Sequence, residues 1–424
     1  MVVRPCGDAI FRHHLAVVKQ HILSALFCFF FALNWVGLHP MVLEAQSVPF
    51  PPDPNAELRS FSDAAQASIL TCSPGSQLYS AFGHTAIRIT DLAAEPPLDR
   101  VYNFGTFQFS DGFYARFIQG ELIYSLSTST FGGFLEEYIR SGRGVKEQEL
   151  ALSAEDIARL DAYLLAHAHP DHRDYRYLFL YDNCATRVIT VLQETFGDRL
   201  TVDCLDRQDS SFRDLLRAKL GGIPLTRFGI DVVLGLPVDA PLGKCGDAFL
   251  PDHLAAELEE MVLDARTMEE RPLVRKRREL LPSMLPAFPD EPGWPVGAAW
   301  GLFAVCLLET GLRKRGLRKI LLPVTGTVGC LLAFLWFGTD HADTRYNLNV
   351  LWAFPLHLLG PGLSVRSPQW KRHLGRAMGL MALGTALLSA TRLSETVQDF
   401  HPAVLPLGLA VFLCFEPWRK TPVK

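Results

Sequence analysis

Residues 167–187 read HAHPDHRDYRYLFLYDNCATR, and two incompatible chemistries meet in that stretch. His167, His169, Asp171 and His172 spell H-x-H-x-D-H, the spacing with which binuclear metallohydrolases hold zinc, while Cys184 stands twelve residues past His172 in a polar frame. Each reading brings its own fold. The metal motif has to follow a buried strand as a loop, because His at i and i+2 with Asp and His just behind converge on one ion only from a loop. Here it ends an amphipathic segment, SAEDIARLDAYLLAHA, whose Ser153 and Asp156 have the spacing of a capping box, and Pro170 then breaks the helix. Only His253 remains downstream in the same domain, too few ligands for a two-metal centre. Histidines in the last turn of a helix are favoured by its macrodipole without any metal. No metal and no cofactor are expected.

The cysteine reading predicts an α+β domain. Asn183 is an N-cap candidate for a helix over NCATRVITVLQETF (183–196), which sets Cys184 at the helix N-terminus, where unsatisfied N–H groups lower a thiol's pKa. Arg187 falls one turn on and adds positive charge, Asp182 precedes the cap, and the N–H of Cys184 is a candidate oxyanion donor. A base is offered by His84 in YSAFGHTAIRIT, at the start of a strand on which His84, Ala86 and Arg88 share one face while Ile87 and Ile89 point to the core. On the next strand Asn103, in VYNFGTF, either orients the imidazole or serves as a turn residue before Gly105. Tyr79, Ser80 and backbone groups near 79–83 are candidates for the second oxyanion donor. A buried structural cysteine, or half of a disulfide, is the plain alternative for Cys184.

Outward from this stretch, alternation predicts strands near 67–72, 84–90, 99–107 and 121–128, and helical spacing marks FGGFLEEYIRSG and the segment from Ser153. Residues 252–281 read as an amphipathic helix whose basic RPLVRKRREL run faces either solvent or anionic headgroups. Residues 21–38, HILSALFCFFFALNWVGL, follow Arg4, Arg12 and Lys19 and form a signal peptide or an uncleaved anchor. Five further apolar segments lie near 295–312, 320–338, 350–363, 377–390 and 402–416. The loops 313–319 and 364–376 and the tail carry five, four and three Lys or Arg, against one each in the intervening loops. The positive-inside rule then gives five crossings with the C-terminus in the cytoplasm. The chain divides into a leader or anchor (1–45), an exported domain (46–250), an amphipathic helical linker (251–293), a membrane domain (294–418) and a cytoplasmic tail (419–424). A net charge of −4 without a basic, aromatic-interleaved patch argues against nucleic acid. Of the exported cysteines Cys72, Cys184, Cys204 and Cys245, the expected pair is Cys204 with Cys245; Cys184 then needs a reason to stay reduced, and catalysis is one.

SAFGHTAIRITD, VYNFGTFQF, RGVKEQEL (143–150) and YDNCATR together resemble the periplasmic domain of the lipoprotein N-acyltransferase family of Bacteroides and relatives, once filed as a domain of unknown function (DUF4105). That domain is similar to circularly permuted papain-like enzymes of the NlpC/P60 and LRAT type, in which His precedes Cys, as His84 precedes Cys184 here. FGTDHADTRYNLNVLWAFPLHLL (337–359) resembles the membrane motif of the same family. The resemblance implies an inner-membrane enzyme that moves an acyl group from a phospholipid donor to the N-terminal lipidated Cys of a lipoprotein acceptor, through a thioester on Cys184. Asp340, His341, Asn347 and Asn349 would then face the outer membrane surface to gather headgroups or clamp the domain, or would form a plain loop. A Cys/His amidase or peptidase of the cell wall and a non-catalytic membrane assembly protein are the rival readings.

Overall fold

Along QASILTC, alternation sends Ala67 and Ile69 to one side and Ser68, Leu70 and Cys72 to the other, and both sides are buried. The computed structural model describes residues 58–107, 113–204, 209–264, 271–285, 293–312, 316–362, 368–391 and 397–415, and places this strand inside a seven-stranded antiparallel sheet. Its strands are β1 (Gln66–Cys72), β2 (His84–Asp91), β3 (Leu98–Thr106), β4 (Ile123–Thr130), β5 (Val145–Leu150), β6 (Asp174–Arg176) and β10 (Val274–Leu281), in the order β10-β5-β1-β2-β3-β4-β6. The short β7 (Leu200–Thr201), β8 (Val262–Leu263) and β9 (Arg271–Pro272) make a second sheet. Between the strands run α1 (Phe113–Gln119), α2 (Phe131–Ser141), α3 (Ala154–Ala168), α4 (Cys184–Phe196), α5 (Phe212–Lys219), α6 (Pro224–Val233) and α7 (Pro251–Glu260).

Two helical layers sandwich the sheet. On one face α3 and α4 bring Leu160, Leu164, Val188 and Leu192 against Ile69, Ile87, Ile89 and Tyr102. On the other, Phe134 and Tyr138 of α2 cover Leu70, Cys72, Ala86 and Val101. The strands expected at 67–72, 84–90, 99–107 and 121–128 form within two residues of those limits. The capping box of Ser153 and Asp156 forms at the start of α3.

The helix expected over 252–281 is corrected. It is helical only over α7, after which the chain joins the small sheet and returns as β10, antiparallel to β5 at the sheet edge. The basic side chains explain the change. Glu147 and Glu149 on β5 are both 4% exposed, and Arg275 and Arg278 of β10 pair with Glu149, while Arg88 holds Glu147 from within the sheet. Buried carboxylates demand such partners, so the basic run completes a sheet instead of lying on headgroups.

The C-terminal region is helical: α8 (Trp294–Gly311), α9 (Arg318–Phe337), α10 (Pro368–Ser389) and α11 (Val404–Phe415). α8 and α9 are long and apolar enough to cross a membrane, and Leu307, Leu308, Ile320 and Val324 on them are exposed, as lipid-facing residues are. The third apolar segment, expected as a span at 350–363, takes 3-10 turns over Leu348–Leu351 and Pro355–Gly362 in place of a continuous α-helix. Backbone contact with α9 sets this conformation: a Cβ on Gly329 would lie 1.8 Å from the Ala353 carbonyl oxygen, so only glycine admits the approach. The expected leader (1–45) and tail (419–424) lie outside the described residues.

Candidate active site

Cys184 is the first residue of α4, and the cap that puts it there is fully used. The Asn183 side chain accepts from the N–H groups of Ala185 (2.8 Å) and Thr186 (3.0 Å) and donates to the carbonyls of Phe179 and Phe249 (both 2.8 Å), while the Asn183 N–H donates to the Thr186 hydroxyl (2.8 Å). The thiol is buried. Burial pushes it up to about 11, against the opposing pull of the N–H groups of Thr85, Cys184 and Ala185 and of the Arg143 charge. Gly105, at φ 84°, makes room beside it: a Cβ there would sit 3.7 Å from both the Cys184 Cβ and the Tyr177 ring. Tyr177 stacks on Tyr124 (4.2 Å between centroids), which stacks on Phe107 (5.1 Å), so an aromatic wall borders the thiol.

His84 begins β2 and lies directly opposite Cys72 of β1. It follows the face of Ala86, toward α2, while α4 packs against the Ile87 and Ile89 face. The helix end reaches round to the strand end through Thr85, the residue after His84, whose N–H meets the thiol sulfur. The imidazole hydrogen-bonds the Asn103 side chain, whose Nδ2 donates to the Ser129 hydroxyl (3.3 Å). Asn103 therefore stands within β3, opposite Ser127, and not in a turn. Burial first, and then the Arg143 charge, push His84 down to about 4. The structure thus brings His84 to Asn103 and Cys184 to the neighbour of His84, with thiol and imidazole both neutral at rest.

The other sequence candidates fall into place around this. Arg187 forms a double hydrogen bond with Asp182 (2.5 and 2.6 Å) and lies over the Tyr175 ring, so its charge is answered locally; the guanidinium that acts on the thiol is that of Arg143. Ser80 is buried with its hydroxyl on the Gln77 carbonyl (3.0 Å), and Tyr79 points to solvent at 78% exposure. His167 turns back to the Tyr163 carbonyl and stacks on that ring, and His169 faces Asp171. Among the described residues no three His, Cys, Asp or Glu side chains converge as metal ligands. Arg143 and Thr85 went unassigned in the sequence because both reach the thiol across chain separations that no local motif reports.

The polar motif after α9 hydrogen-bonds to the exported domain at two places. Asn347 and Asn349 are buried and donate to the carbonyls of Val232 (2.7 and 3.1 Å), with Val233 also held by Asn347 (3.0 Å), capping the C-terminal end of α6. The Asp340 N–H bonds the Gln119 carbonyl (2.7 Å) and the His341 ring bonds that of Phe117 (3.0 Å), both at the end of α1. Asp343 accepts from the Tyr181 hydroxyl, three residues before the nucleophile candidate.

Fold and site together define a membrane-attached α+β domain with a cysteine at a helix N-terminus and a histidine on the adjoining strand. Family comparison agrees: residues 54–217 match the Lnb N-terminal periplasmic domain and residues 294–416 the Lnb transmembrane domain, a five-helix unit by its designation. The chain belongs to the Lnb family, lipoprotein N-acyltransferases of the Bacteroides type. No curated protein and no solved structure matches it.

Proposed function

We propose that this chain N-acylates the N-terminal lipidated cysteine of lipoproteins at the periplasmic face of the inner membrane, with Cys184 as nucleophile, His84 as base and Asn103 as its orienting partner, in a circularly permuted papain-like domain. His84 takes the thiol proton, and the Cys184 sulfur attacks the acyl carbonyl of a phospholipid ester. The ester C–O bond breaks, the leaving alkoxide takes the proton back from His84, and a thioester remains on Cys184. The acceptor's α-amine then attacks the thioester carbonyl, the C–S bond breaks, and the amine's proton returns through His84 to the sulfur. No cofactor enters either half. The observation that carries this reading is a helix-start thiol hydrogen-bonded by the residue next to His84, in a chain whose two matched domains are those of the Lnb family. The aromatic wall of Phe107, Tyr124 and Tyr177 suits an apolar acyl chain.

The test is complementation. A strain lacking the gene receives wild type, Cys184→Ala or His84→Ala, and the N-terminal peptides of its lipoproteins are weighed. Both variants are expected to leave the peptides without the N-acyl group, and wild type to give a hydroxylamine-labile acyl adduct on Cys184. Full N-acylation by either variant would overturn the assignment; an acylated substrate without any adduct would overturn the thioester.

A further inference from the structure

Arg143 is 8% exposed, and its Nη2 atom has no hydrogen-bond partner. Its Nε donates to the Ser73 carbonyl (2.8 Å) and its Cζ lies 4.8 Å from the centre of the Tyr138 ring. No carboxylate reaches it among the described residues. Arg213, fully buried, differs, being held by Asp231 and Asp239, and so do the half-buried Arg88, held by Asp99 and Glu147, and Arg217, held by Asp231 and Asp399. A buried cation with no anion is costly, and such a cost persists where the anion is supplied at another stage of a reaction cycle.

The backbone places Arg143 at the end of β1 and β2 that also carries His84 and Thr85. Ser73, its acceptor, follows Cys72; Cys72 pairs with His84 in the sheet; and Thr85, next in β2, donates to the Cys184 sulfur. We propose that Arg143 is the fixed counter-charge of the Cys184 thiolate, a positioning residue that holds negative charge on the sulfur once His84 has taken the proton. The groups around the sulfur leave this role to it. Cys72, from β1, is driven by burial to about 12 and stays a neutral thiol, while Tyr175 and Tyr177, from β6 and the turn after it, are raised further by burial. Asp182 and Arg187, at the start of α4, pair with each other, and His84 is neutral at rest. Arg143 also opposes charge on His84, so the imidazolium lasts only until its proton passes to the leaving group. The inference deepens the acyltransferase reading and rests on it only in that Cys184 must react as a thiolate.

The test is the pH dependence of iodoacetamide alkylation at the Cys184 peptide, read by mass spectrometry on the full-length chain in detergent. Arg143→Gln is expected to move the Cys184 profile up by about one pH unit, which slows alkylation at pH 8 about tenfold. Arg143→Lys, which keeps the charge, is expected to stay near wild type. A folded Gln variant whose profile superimposes on wild type overturns the proposal. Where the Gln variant does not fold, the Lys variant decides: a full-unit rise with the charge retained means that the fork, and not the charge, was needed. Alkylation requires neither lipid nor lipoprotein, so this result stands apart from the outcome of the complementation experiment.

Discussion

Asn183 ties four partners with one amide, so its loss is felt well beyond the cap. Asn183→Ala removes the N-cap and orphans two carbonyls, which is expected to cost about 2–4 kcal/mol, measured as a shift of the urea midpoint. At His84 the low value sets an acid limit. The base must be neutral, so activity is expected to hold as pH falls from 7 to 5 and to drop only toward about 4, where the ring takes its proton. A pH–rate profile with its acid limb near 6.5, the ordinary histidine value, would show the ring to be solvated instead. These two residues were legible in the sequence for different reasons. A cap is a local event: Asn183 and Thr186 meet within one turn, and a sequence shows that spacing directly. His84 was legible through the strand start and family motif, but its neighbours Cys72 and Arg143 arrive from β1 and from the turn before β5, and sheet register alone unites them.

Alternating polarity makes a strand legible in sequence, and charge standing in for apolar residues hides one. β5 and β10 are VKEQEL and VRKRRELL, which carry no strand alternation; they pair because buried glutamates on one meet arginines on the other. The third membrane segment is a related case. Residues 348–362 are about 15 in number, which as an α-helix would reach only ~22 Å, short of a ~30 Å hydrocarbon core. The segment instead takes two 3-10 turns, Leu348–Leu351 and Pro355–Gly362, with a break between them. The Cys204–Cys245 bridge, expected from the cysteine count, forms and closes a separation of 41 residues around α5 and α6. Replacing both cysteines by serine is expected to cost about 4 kcal/mol by loop entropy, read as a lower thermal midpoint of the purified chain. An unchanged midpoint would mean that the ion-pair network of Arg213 and Arg217 already restrains this loop.

Across the whole molecule, the loops that dock on the exported domain are the two poor in Lys and Arg. Residues 340–349 hold α1 and α6, and Asp399 pairs with Arg217 of α5. The domain therefore stands on the membrane part through buried polar contacts, which fix orientation more firmly than a flexible tether would, and they reach the site itself through Tyr181 and Asp343. Burial raises the Asp343 carboxyl to about 6, despite the hydrogen bond from Tyr181. A raised carboxyl favours the docked state when protonated, so its contribution is complete below the unfolded value near 4 and is lost as pH rises through 6. At pH 7.5 the ionised group weakens the contact by on the order of 1–2 kcal/mol, the nominal two-unit shift discounted for partial solvent access. Asp343→Asn removes that ionisation and keeps the shape and the acceptor for Tyr181. Its thermal midpoint should exceed wild type at pH 7.5 by a few degrees and approach wild type only near pH 4. A difference of equal size at both pH values would place the effect in packing, and the carboxyl would then carry no pH dependence into the docking of the catalytic domain.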